Sequence, residues 1–394
     1  MLKAALGLIA LAVAAALLWT DRKNIERSSV FFVRRTKKGI YLLDRLAKIP
    51  GLRLFYSVGI PLCLLGILYI LLIVGSNAIY ILTHPAASPG LAPIIPGVRI
   101  PGSPVYVPLG YGILGLFILL IVHEGSHGIT ARLDKIKVKS TGLLLALAIP
   151  GAFVEPDKNS FERAKTMSKL RVAAAGSFAN ILTAGICVLL IVFALSAYSP
   201  TGVVVVYTFN DTPAFDAFNQ TTVITHFEGE RIRTVTELGV AINRTSPNQT
   251  VSFDVLQLDD ERVVPRQVSL TTIHAPNNTA QSYVGLSAVE PVAQGLIFSL
   301  PISSISLIEY VNPLYWSIPQ ESYLWYVLNS LKWIAFLNFA IGAVNLLPVQ
   351  PLDGGLMVKE IAKKVSAKYE KYVTGLFSLL VVAIFALNLL PYFL

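Results

Sequence analysis

The segment Ile113-Leu114-Gly115-Leu116-Phe117-Ile118-Leu119-Leu120-Ile121-Val122-His123-Glu124-Gly125-Ser126-His127 decides the reading of this chain. Its first ten residues carry no charge and read as part of a membrane-spanning helix. Its last five form the H-E-x-x-H pattern, which puts two metal ligands and a base on one helical turn. Residues four apart on a helix project from nearly the same face, so His123 and His127 can share one ion. Glu124 is turned by about a quarter turn from His123 and can reach a water on that ion without occupying it. Zinc is the default metal for two imidazoles and a carboxylate, with a fourth position left for water. The same five residues occur by chance on soluble helices. At membrane depth, however, ionisable groups are costly and usually functional, which favours a site.

The rest of the chain supports that depth. Of its 394 residues 54% are hydrophobic and only 14% are charged, against about a quarter charged in a soluble domain. The net charge of +9 is concentrated between Arg22 and Arg53 and between Lys359 and Lys371. Both groups flank apolar runs, which is the positive-inside pattern of a membrane protein and not a nucleic-acid surface. Cys63 and Cys187 each sit within an apolar run, so buried thiols are expected and no disulfide framework is implied.

The spacing predicts about six transmembrane helices, at residues 2–19, 58–82, 109–131, 170–198, 323–347 and 373–390. The first could be a cleaved signal peptide, but the basic stretch from Arg22 acts as a stop-transfer flank and favours a retained span. Residues 83–108, proline-rich from Pro85 to Pro108, read as an extended extramembrane loop. Residues 141–149 are apolar but too short to cross. With Pro150, Gly151 and Pro156 behind them, they read as a re-entrant β-hairpin, tolerated at membrane depth only when packed in protein or facing a cavity. Residues 292–322, broken by Pro301, Pro313 and Pro319, read as a partial helix or interfacial segment.

Residues 200–291 change character. Short alternating runs such as Val203-Val204-Val205-Val206 and Val251-Ser252-Phe253-Asp254-Val255 are separated by turn-forming residues, as in a soluble strand-rich domain. Five N-x-Thr sequons begin at Asn210, Asn219, Asn243, Asn248 and Asn277, and suggest an extracytoplasmic domain open to glycosylation. With residues 21–53 inside, the third span runs inward, the acidic domain lies outside and the basic segment 359–371 returns inside. The expected organisation is an N-terminal span with a basic cytoplasmic segment (1–56) and a second span with the proline-rich loop (57–108). A catalytic membrane core in two parts (109–199 and 292–394) is interrupted by the inserted domain (200–291). The chain thus reads as a multi-pass cell-membrane protein whose candidate site lies near the cytoplasmic side.

A third ligand must come from elsewhere. The fifth span ends in Asn345-Leu346-Leu347-Pro348-Val349-Gln350-Pro351-Leu352-Asp353-Gly354-Gly355. An Asp before two glycines is by itself an ordinary turn. Paired at matched depth with His123 and His127, Asp353 is better read as the third ligand.

At these residues the chain resembles the intramembrane site-2 metalloproteases, over about residues 96–371. His123-Glu124-Gly125-Ser126-His127 and Leu352-Asp353-Gly354-Gly355 occur in the family's order on separate spans. Gly151-Ala152-Phe153-Val154-Glu155-Pro156 resembles its membrane-inserted loop. Arg171 to Asn180 resembles its R-V-x-x-A-G-P-x-x-N helix, with Ser177 where that pattern has Pro. The resemblance implies an endopeptidase acting on transmembrane segments of protein substrates in regulated intramembrane proteolysis. His123, His127 and Asp353 would hold Zn2+, and Glu124 would act as base and then acid. Asn345 would steady the oxyanion or the substrate backbone, unless it only bonds between helices. For Asn180, substrate positioning and packing stand as equal alternatives. Glu155 and Asp157 are expected in structural or gating roles at the water interface. Because a helical substrate must unwind before attack, the edge around residues 143–149 is a candidate for strand addition.

The inserted domain looks like an extracytoplasmic PDZ domain at Val203-Val204-Val205-Val206, Thr212-Pro213-Ala214, Val223 to Glu230 and Thr236-Glu237-Leu238. A PDZ-like α/β domain implies a peptide ligand on a strand edge, or a filter admitting only substrates with short outer segments. His84, His226 and His274 read as surface residues. The partners expected are transmembrane protein substrates and membrane lipid, with no nucleic acid. Two rivals are a catalytically silent membrane scaffold, which has no need of Glu124, and a metal transporter, which needs more polar residues along its path.

Overall fold

The computed structural model describes residues 25–28, 31–84, 91–101, 103, 105–146, 149–219, 222–259, 262–291 and 310–392. In chain order the elements begin with β1 (Ile25–Ser28), β2 (Phe31–Thr36), α1 (Lys38–Leu46), α2 (Leu52–Thr83), α3 (Leu109–Leu133), β3 (Val138–Ala146) and β4 (Ile149–Pro156). They continue with α4 (Lys158–Glu162), α5 (Thr166–Leu195), β5 (Val203–Thr208), α6 (Pro213–Ala217), β6 (Val223–Phe227), β7 (Glu230–Arg231) and α7 (Val235–Asn243). Then follow β8 (Thr250–Asp259), β9 (Arg262–Thr271), β10 (Ile273–Ala275), β11 (Asn278–Tyr283), β12 (Leu286–Val289), α8 (Leu324–Asn345), α9 (Asp353–Val365) and α10 (Glu370–Leu389).

Among the described residues, five helices are long and apolar enough to cross a membrane: α2, α3, α5, α8, and α10 with the short turn that extends it to Tyr392. They coincide with the expected second to sixth spans. The expected first span, residues 2–19, lies outside the described residues, as do 85–90, 102 and 104 of the proline-rich loop and 292–309 of the expected interfacial segment. The chain divides into two compact units, one formed by the described residues up to Cys187 and from Trp333, the other by Val188–Lys332.

In the first unit, small residues let the helices approach. A Cβ placed on Gly115 of α3 would lie 2.7 Å from Leu337 and 3.2 Å from the Trp333 carbonyl oxygen of α8. One on Gly59 of α2 would lie 2.8 Å from the Phe178 ring of α5. In hydrocarbon, where apolar burial adds little between helices, such close backbone contact is the main source of packing attraction. Asn77 of α2 donates to Asn388 of α10 at 2.8 Å, and Asn388 donates to the Val74 carbonyl at 3.0 Å. These bonds satisfy side chains that lipid could not.

Polar contacts then fix the helix ends. Arg171 of α5 pairs with Asp134 just beyond α3 and donates to Ser57 of α2 at 3.0 Å; Arg53 lies 3.0 Å from Asp134. Lys169 of α5, almost fully buried, lies 3.4 Å from Glu360 of α9 and 3.6 Å from Glu162 of α4. Glu360 stands two helical turns after Asp353, so this ion pair holds α9 in register against α5.

β3 and β4 pair antiparallel as the hairpin expected after the third span, from Ala146↔Ile149 out to Val138↔Pro156. The segment 25–36, expected only as a basic flank, adds two more strands and completes a sheet of order β1-β2-β3-β4. Its pairing from Phe31↔Ala146 to Thr36↔Thr141 corrects the strand-addition expectation. Residues 143–146 are bonded on both sides, and among the described residues the outer strands of this sheet are β1 and β4. Glu155 accepts from Ser140 at 2.7 Å and faces Arg35 at 3.6 Å. Asp157 caps α4 by accepting the Ser160 N–H at 2.8 Å, which holds its carboxyl below the usual range. Both acids brace the hairpin.

The second unit holds a sheet of order β12-β5-β6-β8-β9, with β7 paired to β6. Alternating inward residues of β5, β6 and β8, including Val203, Val205, Ile224, Phe253 and Val255, meet Leu238 and Ile242 of α7 in one core. Thr234 and Glu237 cap α7 reciprocally, an arrangement that satisfies two backbone donors at a helix start. β12 is an edge strand, and a groove runs between it and α7, lined by Val235, Leu238, Ile242, Tyr283, Leu286 and Ala288.

Candidate metal centre

α3 carries His123, Glu124 and His127 near its C-terminal end. The two imidazoles meet edge to face, with ring centroids 4.7 Å apart and Nε2 atoms 3.2 Å apart. Asp353, the first residue of α9, brings Oδ1 to 3.3 Å from His127 Nε2 and Oδ2 to 3.7 Å from His123 Nε2. All three side chains are nearly buried.

The turn between α8 and α9 makes this convergence possible. A Cβ placed on Gly354 would lie 2.0 Å from the Leu346 carbonyl oxygen, and one on Gly355 would lie 2.4 Å from the Val349 carbonyl carbon. Only glycine lets the backbone fold back so tightly. Pro348 and Pro351 keep the intervening residues out of helix.

The donor set fits zinc. A tetrahedral ion with bonds of about 2.0–2.1 Å separates its ligand atoms by about 3.3 Å, close to the 3.2 Å between the two Nε2 atoms and the 3.3 Å from His127 Nε2 to Asp353 Oδ1. The second atoms of each ligand are engaged from behind, all by α5. His127 Nδ1 lies 2.7 Å from the Val172 carbonyl oxygen, so this nitrogen carries the proton and Nε2 keeps its lone pair for a metal. Ser177 donates to Asp353 Oδ2 at 2.7 Å. Asn180, fully buried, sets its amide 3.1 Å from His123 Nδ1 while its Oδ1 has no partner. Exchanging the two ends of that amide gives Nδ1–H its acceptor and satisfies the orphaned oxygen. Gly176 lies between these groups, and a Cβ there would stand 2.4 Å from His127 Nε2 and 2.8 Å from His123 Nδ1.

Glu124 stands beside the three donors without being one of them. Its Oε2 accepts the Val154 N–H of β4 at 3.1 Å, which fixes the carboxylate and ties the hairpin to the metal helix. Tyr56 of α2 donates to Ser126 at 3.1 Å and braces the same helical turn.

The structure therefore gathers His123, His127, Asp353, Glu124 and Asn180. Asn345 ends α8, half-buried, and among the described residues no hydrogen bond joins its side chain to the other five. Sequence reasoning missed Val172, Gly176, Ser177 and Val154. Residues 172, 176 and 180 repeat at four-residue spacing along one side of α5, with 177 beside them. That periodicity within the Arg171–Asn180 block is the signal that could have found the first three.

Membrane-crossing helices around a buried two-histidine, one-aspartate cluster define a membrane metallopeptidase class. The chain belongs to peptidase family M50, the site-2 protease family, whose model matches residues 111–389. It is accordingly a metalloprotease and a multi-pass membrane protein. An uncharacterized protein of Methanocaldococcus jannaschii is 24% identical over 352 residues, covering 87% of this chain and 82% of that one. A crystal structure of the PDZ domain of an SdrC-like protein from Listeria monocytogenes is similar to 24% of this chain at 20% identity, with 93% of that domain covered and a TM-score of 0.21.

Proposed function

We propose that this chain is an intramembrane zinc endopeptidase that hydrolyses peptide bonds within transmembrane segments of membrane proteins. The observation that carries the reading is the spacing of His123 Nε2, His127 Nε2 and Asp353 beside Glu124 on a membrane-length helix. When bound, zinc polarises the scissile carbonyl and makes water acidic enough to lose a proton near neutral pH. Glu124 takes that proton on the carboxylate that Val154 N–H orients, and returns it to the departing amine. Asn345 donates to the substrate carbonyl or backbone from the end of α8. Asn180 orients His123 from behind, a role that replaces substrate positioning. Val172 and Ser177 do the same for His127 and Asp353. The basic segments 25–53 and 359–371 support a cytoplasmic side for this end of α3.

β4 re-enters the membrane beside the site and offers its open edge to an unwound substrate strand. Backbone groups of alternate residues in a strand point the same way. Since Val154 N–H faces Glu124 and not β3, those of Ala152 face the open edge too. Ala152→Pro removes one outward donor without touching a β3 bond, and is expected to lower cleavage sharply at unchanged zinc content. Undiminished cleavage would show that substrate does not pair here. The groove between α7 and β12 is where the inserted domain, read as PDZ-like, would take an extended peptide along the β12 edge.

The test of the main reading is metal removal. Purified in detergent, the protein is expected to hold one zinc per chain and to cut a single-span helical substrate inside its apolar segment. A strong chelator should abolish both, and added zinc should restore both. Cleavage that survives complete removal of zinc would refute the reading. Ser177→Ala is expected to weaken zinc binding by about 10–100-fold, the usual cost of losing a group that orients a ligand. Competition with a zinc-sensing dye measures it, and unaltered affinity would mean that the Ser177 hydroxyl does not fix Asp353.

A further inference from the structure

We infer that Asn210, Asn219, Asn243, Asn248 and Asn277 are acceptor sites for N-linked glycans, and that the inserted domain is a glycosylated extracytoplasmic domain. The chain has 15 asparagines, six within residues 200–291 and nine elsewhere. Five of the six begin N-x-Thr, and none of the nine begins N-x-Thr or N-x-Ser. Thr and Ser make up 18 of those 92 residues, so six randomly placed asparagines would give about one such match. The enrichment is confined to the inserted domain, which the charge pattern puts outside.

The structure adds a second criterion, which most of the other described asparagines do not meet. All five are exposed, and each lies in a connection or at a helix end. Asn210 follows β5, Asn219 follows α6, Asn243 closes α7, Asn248 lies between α7 and β8, and Asn277 is in the β10–β11 turn. Among the described residues no hydrogen bond engages any of their side-chain amides, so each Nδ2 is open to chemistry. The sixth, Asn278, lacks the pattern, and its Oδ1 accepts the Ala280 N–H at 3.1 Å. Elsewhere Asn77, Asn180, Asn312, Asn329, Asn338 and Asn388 are all held by hydrogen bonds.

The donor implied is a lipid-linked oligosaccharide, transferred by a membrane oligosaccharyltransferase. A bond forms between Asn Nδ2 and C1 of the first sugar, and the bond from that carbon to the lipid phosphate oxygen breaks. The phosphate leaves with the electron pair, and one Nδ2 proton passes to a base of the transferring enzyme. Such transfer to Asn-x-Thr occurs in secreted and outward-facing segments, so occupancy fixes the side of the domain. Asn243 also lines the groove between α7 and β12, so a glycan there stands at the rim that a peptide must pass.

This inference concerns the inserted domain and holds whether or not the chain cleaves peptides. Its test compares the full chain isolated from the membranes of cells that naturally make it with the same chain made in a host lacking N-oligosaccharyltransferase. The reference should show the 42.8 kDa polypeptide mass. The native protein is expected to be heavier, with glycopeptide mapping placing glycans on at least three of the five asparagines and on none of the other ten. Each Asn→Gln change at an occupied site should remove one mass increment and leave zinc content unchanged. A native mass equal to the reference, occupancy of fewer than three of the five sites, or glycans on the other asparagines would overturn it.

Discussion

Glu124→Gln is expected to abolish cleavage of a helical membrane substrate while leaving zinc content unchanged. Gln matches Glu in size, and its amide oxygen can still accept the Val154 N–H that now reaches Oε2 at 3.1 Å. The turn of α3 and its contact with β4 should therefore persist. What is lost is a group that can take a proton from water. Positioned general bases contribute about 10²–10⁴-fold, and in the proposed mechanism the same group serves both the attack and the departure of the amine. The candidate ligand atoms belong to His123, His127 and Asp353, so the metal should stay. Single-turnover cleavage measured beside zinc content separates the outcomes. A fully active Gln variant would end the general-base role of Glu124, and loss of zinc would make Glu124 a ligand instead of a base.

The parts of this site that were legible in the sequence are those written in side-chain type and periodicity. The apolar run before His123 and the four-residue step to His127 follow directly from helix geometry. Asp353 was legible because two glycines and two prolines mark a tight turn at the end of a span. What was not legible depends on backbone atoms or on distant pairing. The Val172 carbonyl and the Val154 N–H carry no residue identity, so no pattern announces that they orient His127 and Glu124. Ser177 stood out only as a departure from a family's proline; that its hydroxyl meets Asp353, 176 residues away, is a tertiary fact. The stretch 25–36 was read for its charges alone. Its strands exist because β3 offers them an edge more than a hundred residues later in the chain, and long-range pairing overrides a weak local preference. The edge proposed to take a substrate is therefore that of β4, next to Glu124, and not that of β3.

Gly176→Ala should destroy the metal site, an effect as large as removing a ligand although Gly176 binds nothing. Its Cβ would stand 2.4 Å from His127 Nε2, 2.7 Å from His123 Cε1 and 2.8 Å from His123 Nδ1. None of these atoms is the free end of a flexible chain. His127 is held by the Val172 carbonyl and His123 by Asn180, both on α5 itself, so the rings cannot turn aside without breaking those bonds. Nor can α5 retreat freely, because a Cβ on Gly342 of α8 would already lie 3.2 Å from Asn180 and 3.4 Å from the Ser177 carbonyl oxygen. The imidazoles must move by more than the ~0.5 Å that a working constellation tolerates, and zinc content and cleavage should both fall to background. In an unstrained helix the same change would add about 1 kcal/mol of helix propensity, so a collapse of helical structure is not the expected cause. Gly185→Ala on the same helix supplies the control, since a Cβ there meets nothing within 4 Å. That variant should keep zinc, cleavage and melting temperature. Circular dichroism should show native helix content in both. If Gly176→Ala retained zinc and cleaved normally, α5 would not back the two histidines as described, and the orienting roles of Val172, Ser177 and Asn180 would fall with it.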